Sequence, residues 1–328
     1  MSDETRINLL AEFSTSRRVQ GNHTLLDVDV TRFLGPLELD EFRTQTGLRR
    51  SPVTLVLPNR SQGGQDRSER VLVAFLHGFG GSRSSWGIRN PAFGRQEGLV
   101  SNVLRAVERS GREAIGVVLA GLGRDGGNVD APVCHQGLTP AHYSRQLDYV
   151  LRHLDLYDCD RIVGIGHSVG SAALWEYART NFSGEAPSVP AAGKRPKLSL
   201  VSISPVRAIT DSRGLKLGCH IAGEGLDLLV RPLHHLWRYS NQRLLDLVGM
   251  ASVLKGLAQQ APFTANLSGI KGLVVVGQHD WIARIGLSVG LQRAGCAWPI
   301  ALLAGLGHNL LWHPDTVSAL VHHMPTLL

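Results

Sequence analysis

The chain has 328 residues, 43% hydrophobic and 19% charged, a composition that excludes disordered and fibrous classes and allows a substantial core. Its formal net charge of +7 rests mostly on dispersed arginines, and aromatic residues make up only 6%. Nucleic-acid binding calls for a basic stripe with interleaved aromatics, so no nucleic-acid partner is expected, although the basic surface can steer anionic ligands.

The cysteines Cys134, Cys159, Cys219 and Cys296 form no C-x-x-C pair. Neither a zinc site nor a disulfide framework is expected, and reduced thiols fit a cytoplasmic protein. No long apolar core stands behind Met1-Ser2-Asp3, and no apolar run approaches about 18 residues, so neither a signal peptide nor a membrane span is expected.

Residues 24–30 and 53–57 alternate in polarity, which predicts antiparallel edge strands, with a short helix between them over 37–42. Residues 61–66 are polar and glycine-containing, the signature of a turn. Residues 71–76 are a continuous apolar run, as a central strand buried on both faces requires. That run ends in His77-Gly78-Phe79-Gly80-Gly81-Ser82; no G-K-[ST] follows, which argues against a phosphate-binding loop. His77 reads as a turn-stabilising residue. The better reading of this loop is that the Phe79 amide, with Gly80 as the alternative, points inward to receive an oxyanion.

A helix over 100–110 leads to a second buried strand over 114–119. The segment Gly121-Leu122-Gly123-Arg124-Asp125-Gly126 has dinucleotide-fingerprint spacing, but residues 127–132 cannot open the helix such a site needs, so a surface loop is predicted. Thr139-Pro140 starts a helix whose Tyr143, Leu147, Val150, Leu151 and Leu154 form a core-facing stripe.

A third apolar run, residues 161–165, is followed by Gly166-His167-Ser168-Val169-Gly170-Ser171 and a helical pattern from Ala172. A G-x-S-x-G turn between strand and helix has the form of a nucleophile elbow, in which small neighbours let a strained serine project its hydroxyl at the carboxyl edge of a sheet. With 37 glycines in the chain the motif alone is weak, and its strand and helix context gives it force. The Val169 amide is the matching second oxyanion donor.

A strand over 198–205 follows, then roughly 60 residues before the next, far more than an ordinary connection. This leucine-rich excursion predicts a small helical subdomain, and in its functional form a cap whose inner face, with Trp237 and Met250, favours an apolar substrate. A strand over 272–280 ends on Asp280, and Asp211 is an alternative acid. A helix over 287–294, a strand over 299–303, the loop Gly305-Leu306-Gly307-His308-Asn309 and a helix over 314–323 complete the chain. His313, His322 and His323 read as helix-surface residues, and the adjacent pairs His234-His235 and His322-His323 lack metal-ligand spacing.

The elbow, the His77-Gly78 loop, Gly277-x-x-Asp280 and Gly307-His308 together resemble the α/β-hydrolase superfamily, with serine, acid and histidine in its order at successive strand ends. The resemblance implies an α/β fold, a mostly parallel central sheet flanked by helices with a helical cap insertion. The core then comprises residues 1–205 and 271–328, with an amino-terminal extension over about 1–50, and the cap spans 206–270. It also implies Ser168 as nucleophile, His308 as general base and Asp280 as the residue that orients it. A serine at 168 argues against epoxide hydrolases and haloalkane dehalogenases, which use a carboxylate nucleophile. Two departures, Val118-Leu119 where an aspartate is usual and Gly170-Ser171 in place of a glycine pair, leave the subfamily open. The expected activity is hydrolysis of a carboxylic ester, thioester or lactone of a small acyl substrate, without metal or organic cofactor. An acyltransferase with the same triad, or a ligand-binding receptor on this scaffold, are the alternatives.

Overall fold

The computed structural model describes residues 14–59, 69–79, 81, 83–87, 98–122, 136–182, 195–206, 251–259, 267, 269–280, 282–283 and 297–328. Its strands are β1 (Ser16–Gln20), β2 (His23–Asp29), β3 (Pro52–Pro58), β4 (Arg70–Leu76), β5 (Glu113–Leu119), β6 (Arg161–His167), β7 (Lys197–Ile203), β8 (Lys271–Gly277) and β9 (Ile300–Leu303). They pair into one sheet in the order β1-β2-β3-β5-β4-β6-β7-β8-β9. From β5 to β9 every pairing is parallel, whereas β1, β2 and β3 form an antiparallel extension that joins β5 antiparallel.

The apolar run of β4 shows how the sequence makes a two-sided core. Leu72, Ala74 and Leu76 face one layer, with Tyr143 and Leu147 of α3 (Pro140–His153) and Trp175 of α4 (Val169–Phe182). Val71, Val73 and Phe75 face the other, with Val103 and Leu104 of α2 (Leu99–Arg109) and Leu320 and Met324 of the carboxy-terminal helix (Pro314–Leu327). Alternate side chains point to opposite faces, so a strand covered by helices on both sides must be apolar throughout. Burial of each such aliphatic side chain contributes about 1.5–3 kcal/mol.

α1 (Pro36–Thr46) packs beside α3. Residues 251–258 are also helical, and the Leu138 amide, just before α3, donates to the Ser252 carbonyl at 2.9 Å. We label the carboxy-terminal helix α5. The strand order reverses at β4, which has β5 on one side and β6 on the other. Loops leaving the carboxyl ends of strands at such a reversal diverge and leave a crevice, where α/β sheets bind ligands.

Several elements differ from the sequence reading. Neither β2 nor β3 is an edge strand, because β1 covers β2 and β3 lies between β2 and β5; the polar sequence of β1 hides a strand that is held by main-chain pairing and by Arg18 reaching the buried Asp27 at 3.2 Å. α4 begins at Val169, not Ala172, since the turn at Ser168 leads straight into helical backbone. α5 runs on to Leu327 with Pro325 in its last turns, and His313, exposed at the surface, stands at its N-cap, where it accepts the Asp315 amide. The predicted turn at 61–66, the helix at 287–294 and all of 207–250 lie outside the described residues. Among the described residues no helix is long and apolar enough to cross a membrane.

Candidate active site

Ser168 stands between β6 and α4 with φ of 54°, a left-handed conformation that costs a non-glycine residue about 1–2 kcal/mol. Its backbone is clamped: the Ser168 amide donates to Ile203 O at 2.8 Å, and the Val206 amide donates to Ser168 O at 3.2 Å. The small neighbours are sterically required. A Cβ on Gly170 would lie 2.1 Å from Leu76 O, and one on Gly78 would lie 2.5 Å from the Ser168 Cβ. Where a second glycine was absent from the motif, Ser171 donates its hydroxyl to Gly166 O at 2.8 Å and ties the turn across its base.

His308, from the loop after β9, brings Nε2 to 3.2 Å from Ser168 Oγ. Its Nδ1 lies 3.1 Å from each oxygen of Asp280, just past β8. An ionised carboxylate only accepts, so Nδ1 carries the proton and Nε2 accepts from the serine hydroxyl. The Asp280 side chain is fully buried and that of His308 is 8% exposed, so the pair interacts with little solvent screening.

Burial works to raise the Asp280 pKa, but it is outweighed by the His308 hydrogen bond and charge, and by the Ala283 amide, which together hold the carboxyl below its usual range. The Ile282 and Ala283 amides donate to Oδ1 at 3.0 and 2.8 Å. The buried Ser204 hydroxyl completes no hydrogen bond of good geometry, yet it stands close enough to this carboxylate to add to the lowering.

The crevice in front of Ser168 is walled by Phe79, Val206, Leu254, Leu257 and Ile282. Phe79 and Val169 both line it, and Val169 opens α4, whose amino-terminal amides face the serine. Trp237, Met250, Asp211 and Gly80 lie outside the described residues. The sequence reading missed Val206 and Ile282, each two residues beyond a strand-end residue of the site, and Leu254 and Leu257, which share one face of the 251–258 helix. It also took Tyr143 as purely apolar. The Tyr143 hydroxyl accepts the His77 amide at 3.2 Å and donates to Ala120 O at 3.1 Å, joining the loops after β4 and β5. A hydroxyl on an otherwise apolar stripe was the available signal.

His77 is buried and stacks edge-on against Trp86. Among the described residues no group of three or more His, Cys, Asp or Glu side chains is arranged to hold a metal. Cys159 lies behind the sheet's opposite end, before β6; burial, reinforced by Asp160, pushes its thiol up to about 12 and keeps it protonated.

Residues 73–320 match the model of the Alpha/beta hydrolase family. No curated protein matches the chain. Among solved structures, it is similar to a thermophilic esterase from Thermogutta terrifontis, at 17% identity and TM-score 0.53 over 92% of this chain and 98% of that one. It is also similar to a peroxisomal α/β-hydrolase from Saccharomyces cerevisiae, at 15% identity and TM-score 0.55 over 85% and 82%. A third is carboxyl esterase 2 from Tuber melanosporum, at 14% identity and TM-score 0.52 over 96% and 88%. With the family model spanning most of the chain and the strand order, elbow and strand-end residues in agreement, the chain belongs to the α/β-hydrolase family.

Proposed function

We propose that the protein is a serine hydrolase that cleaves a carboxylic ester, thioester or lactone through an acyl-enzyme. The observation that carries this reading is the continuous hydrogen-bond chain from Ser168 Oγ through His308 to a buried, ionised Asp280. In it, Ser168 Oγ attacks the substrate carbonyl carbon while its proton passes to His308 Nε2. The tetrahedral oxyanion is received by the Phe79 and Val169 amides, where loss of one donor costs about a hundredfold or more in turnover. Collapse expels the alcohol or thiol, which takes the proton from His308, and water then repeats the sequence on the acyl-serine. Asp280 holds the imidazole tautomer and offsets its positive charge.

The aliphatic crevice wall supports an apolar acyl or alcohol group. We further propose that residues 206–270 form a helical cap, to which the 251–258 helix contributes Leu254 and Leu257. Esterases among the structurally similar proteins agree with this substrate class.

The test is steady-state hydrolysis of p-nitrophenyl esters of increasing acyl length by wild type and Ser168→Ala. Turnover abolished by the substitution is expected, and the preferred length reads out the crevice. Turnover that survives in Ser168→Ala overturns the mechanism. Added alcohol or amine acceptors that divert the acyl group from water would make the enzyme an acyltransferase.

A further inference from the structure

We propose that His167, the second residue of the elbow motif, is a positioning residue that tethers the loop carrying His308. This rests on the serine-hydrolase reading for its functional consequence, but the tether itself is a feature of the fold. The His167 Nε2–H donates to the main-chain carbonyl of His308 at 3.1 Å, across 141 residues of sequence. The same carbonyl accepts the Leu310 amide at 3.1 Å.

The chemistry of the loop explains why a tether matters. His308 directly follows Gly307 and the turn at Gly305, whose φ is 70°, and a Cβ on Gly307 would meet nothing closer than His279 O at 3.9 Å. The loop is held at Leu306, whose carbonyl accepts the His279 amide at 2.8 Å, but the open space at Gly305 and Gly307 leaves the step from Leu306 to His308 with glycine's conformational freedom to lose. The contacts of the His308 ring with Ser168 and Asp280 fix the side chain only if the main chain is already in place. A shift near 1 Å in a reacting group costs on the order of a hundredfold in rate.

His167 is well placed to prevent that shift. It is buried, 3% exposed, on the last residue of β6, next to the serine it must register against. Its ring also lies between two others, with centroids 5.1 Å from His77 and 5.0 Å from His308. The column continues to Trp86 at 5.7 Å from His77. This row runs from the loop after β4, which carries Phe79, to the loop after β9, which carries His308. One side chain thus registers both loops against Ser168. The competing explanation, that His167 merely fills this row, requires a ring but no donor.

The two explanations separate with His167→Phe, which keeps the ring and removes the donor, and His167→Gln, whose amide nitrogen reaches about as far as Nε2. We expect His167→Phe to lower kcat for p-nitrophenyl acetate by about tenfold to a hundredfold with KM within about threefold, and His167→Gln to restore most of it. If His167→Phe does not fold, His167→Asn replaces it; its shorter amide is polar but falls short of the His308 carbonyl, and the same loss is expected. The second readout is independent of turnover: the low-field imidazole N–H proton resonance of His308 against Asp280. It should be sharp in wild type and His167→Gln and exchange-broadened in His167→Phe. A folded His167→Phe with wild-type kcat and an unchanged resonance overturns the proposal, as does a Gln variant no better than Phe. Wild type that shows the resonance but turns over no ester overturns the hydrolase reading while the tether is still judged by the resonance.

Discussion

Replacing Asp280 with Asn changes one atom's chemistry at constant shape, and the geometry sets the size of the effect. His308 Nδ1 is 3.1 Å from both carboxylate oxygens, and the Ile282 and Ala283 amides hold Oδ1. In Asp280→Asn those amides keep the carbonyl oxygen at the Oδ1 position and leave NH₂ where Oδ2 stood. That NH₂ opposes an Nδ1–H, so it favours the other tautomer, whose Nε2–H faces Ser168 and cannot accept its proton. The carboxylate's charge is lost as well. At 3.1 Å, in an effective dielectric of about 20, it stabilises an imidazolium by about 5 kcal/mol. Allowing for the amide dipole that remains, about 4–5 kcal/mol of transition-state stabilisation disappears, or roughly 10³–10⁴-fold in kcat. The assay is steady-state hydrolysis of p-nitrophenyl acetate, with circular dichroism melts to show that the variant folds. A folded Asp280→Asn enzyme within tenfold of wild-type kcat would refute both the tautomer argument and the role assigned to the carboxylate.

Tyr143→Phe leaves the His77 amide and Ala120 carbonyl without their shared partner; the expected loss is about 1–3 kcal/mol of stability, read from denaturant melts, with a fall in kcat as the loop bearing Phe79 loosens. A variant as stable as wild type would show that water replaces the hydroxyl. Arg83, 8% exposed, pairs with the buried Asp27 at 3.3 Å, and Thr54 also bonds that carboxylate. Arg83→Ala is expected to cost about 3 kcal/mol, the low end for stranding a buried charge, because Arg18 still reaches Asp27; a change under about 1 kcal/mol would count against the pair. In acid, Asp29 and Asp280 act together. Burial favours raising both, but bonds from Arg50, Thr31 and the Ser51 amide to Asp29, like those from His308 to Asp280, hold them below the ordinary 3.8. A lowered native pKa contributes stability fully above the unfolded pKa and loses it as pH falls through the native one, so melting temperature should hold above about pH 5 and drop below 3.8. The deficit of Asp29→Asn should therefore be largest near neutrality and shrink as pH falls below 3.8; a deficit independent of pH would exclude this linkage.

Much of this architecture could be read from sequence because parallel strands buried on both faces must be unbroken apolar runs, and catalytic groups on such sheets come from the carboxyl ends of those runs. Residues 71–76, 114–119 and 272–277 are visible for that reason, and so is the order of Ser168, Asp280 and His308. What stayed hidden depends on tertiary contact. β1 is Ser-Arg-Arg-Val-Gln, polar at most positions, and becomes a strand only because β2 offers it a paired edge. Val169 and Gly170 are poor helix formers by propensity, yet the turn at Ser168 forces them into the first turn of α4. Tyr143 reads as a core aromatic and His167 carries no reading of its own within the elbow motif, since the partners of their polar atoms lie 66 and 141 residues away. The crevice walls Val206, Leu254, Leu257 and Ile282 have no signal beyond being aliphatic near strand ends.

The way the three site residues are fixed also differs, and the difference follows from sheet order. The Ser168 amide bonds to Ile203 O at the end of β7, and the Ser204 amide bonds to Val275 O on β8, the strand that delivers Asp280. Both serines are in left-handed backbone, at 54° and 45°, so each strand end turns sharply and is caught by its neighbour. Strain of about 1–2 kcal/mol at each turn is held by a lateral run of main-chain hydrogen bonds, which registers Ser168 against Asp280 without any side chain. The same run reaches the loop after β9, a strand of four residues at the sheet edge, only as far as Leu306, whose carbonyl accepts the His279 amide at 2.8 Å. At His308 itself the anchors from other elements are side chains, Asp280 at its ring and His167 at its main-chain carbonyl, and substitutions at those two positions should disturb the position of His308 while leaving the elbow intact.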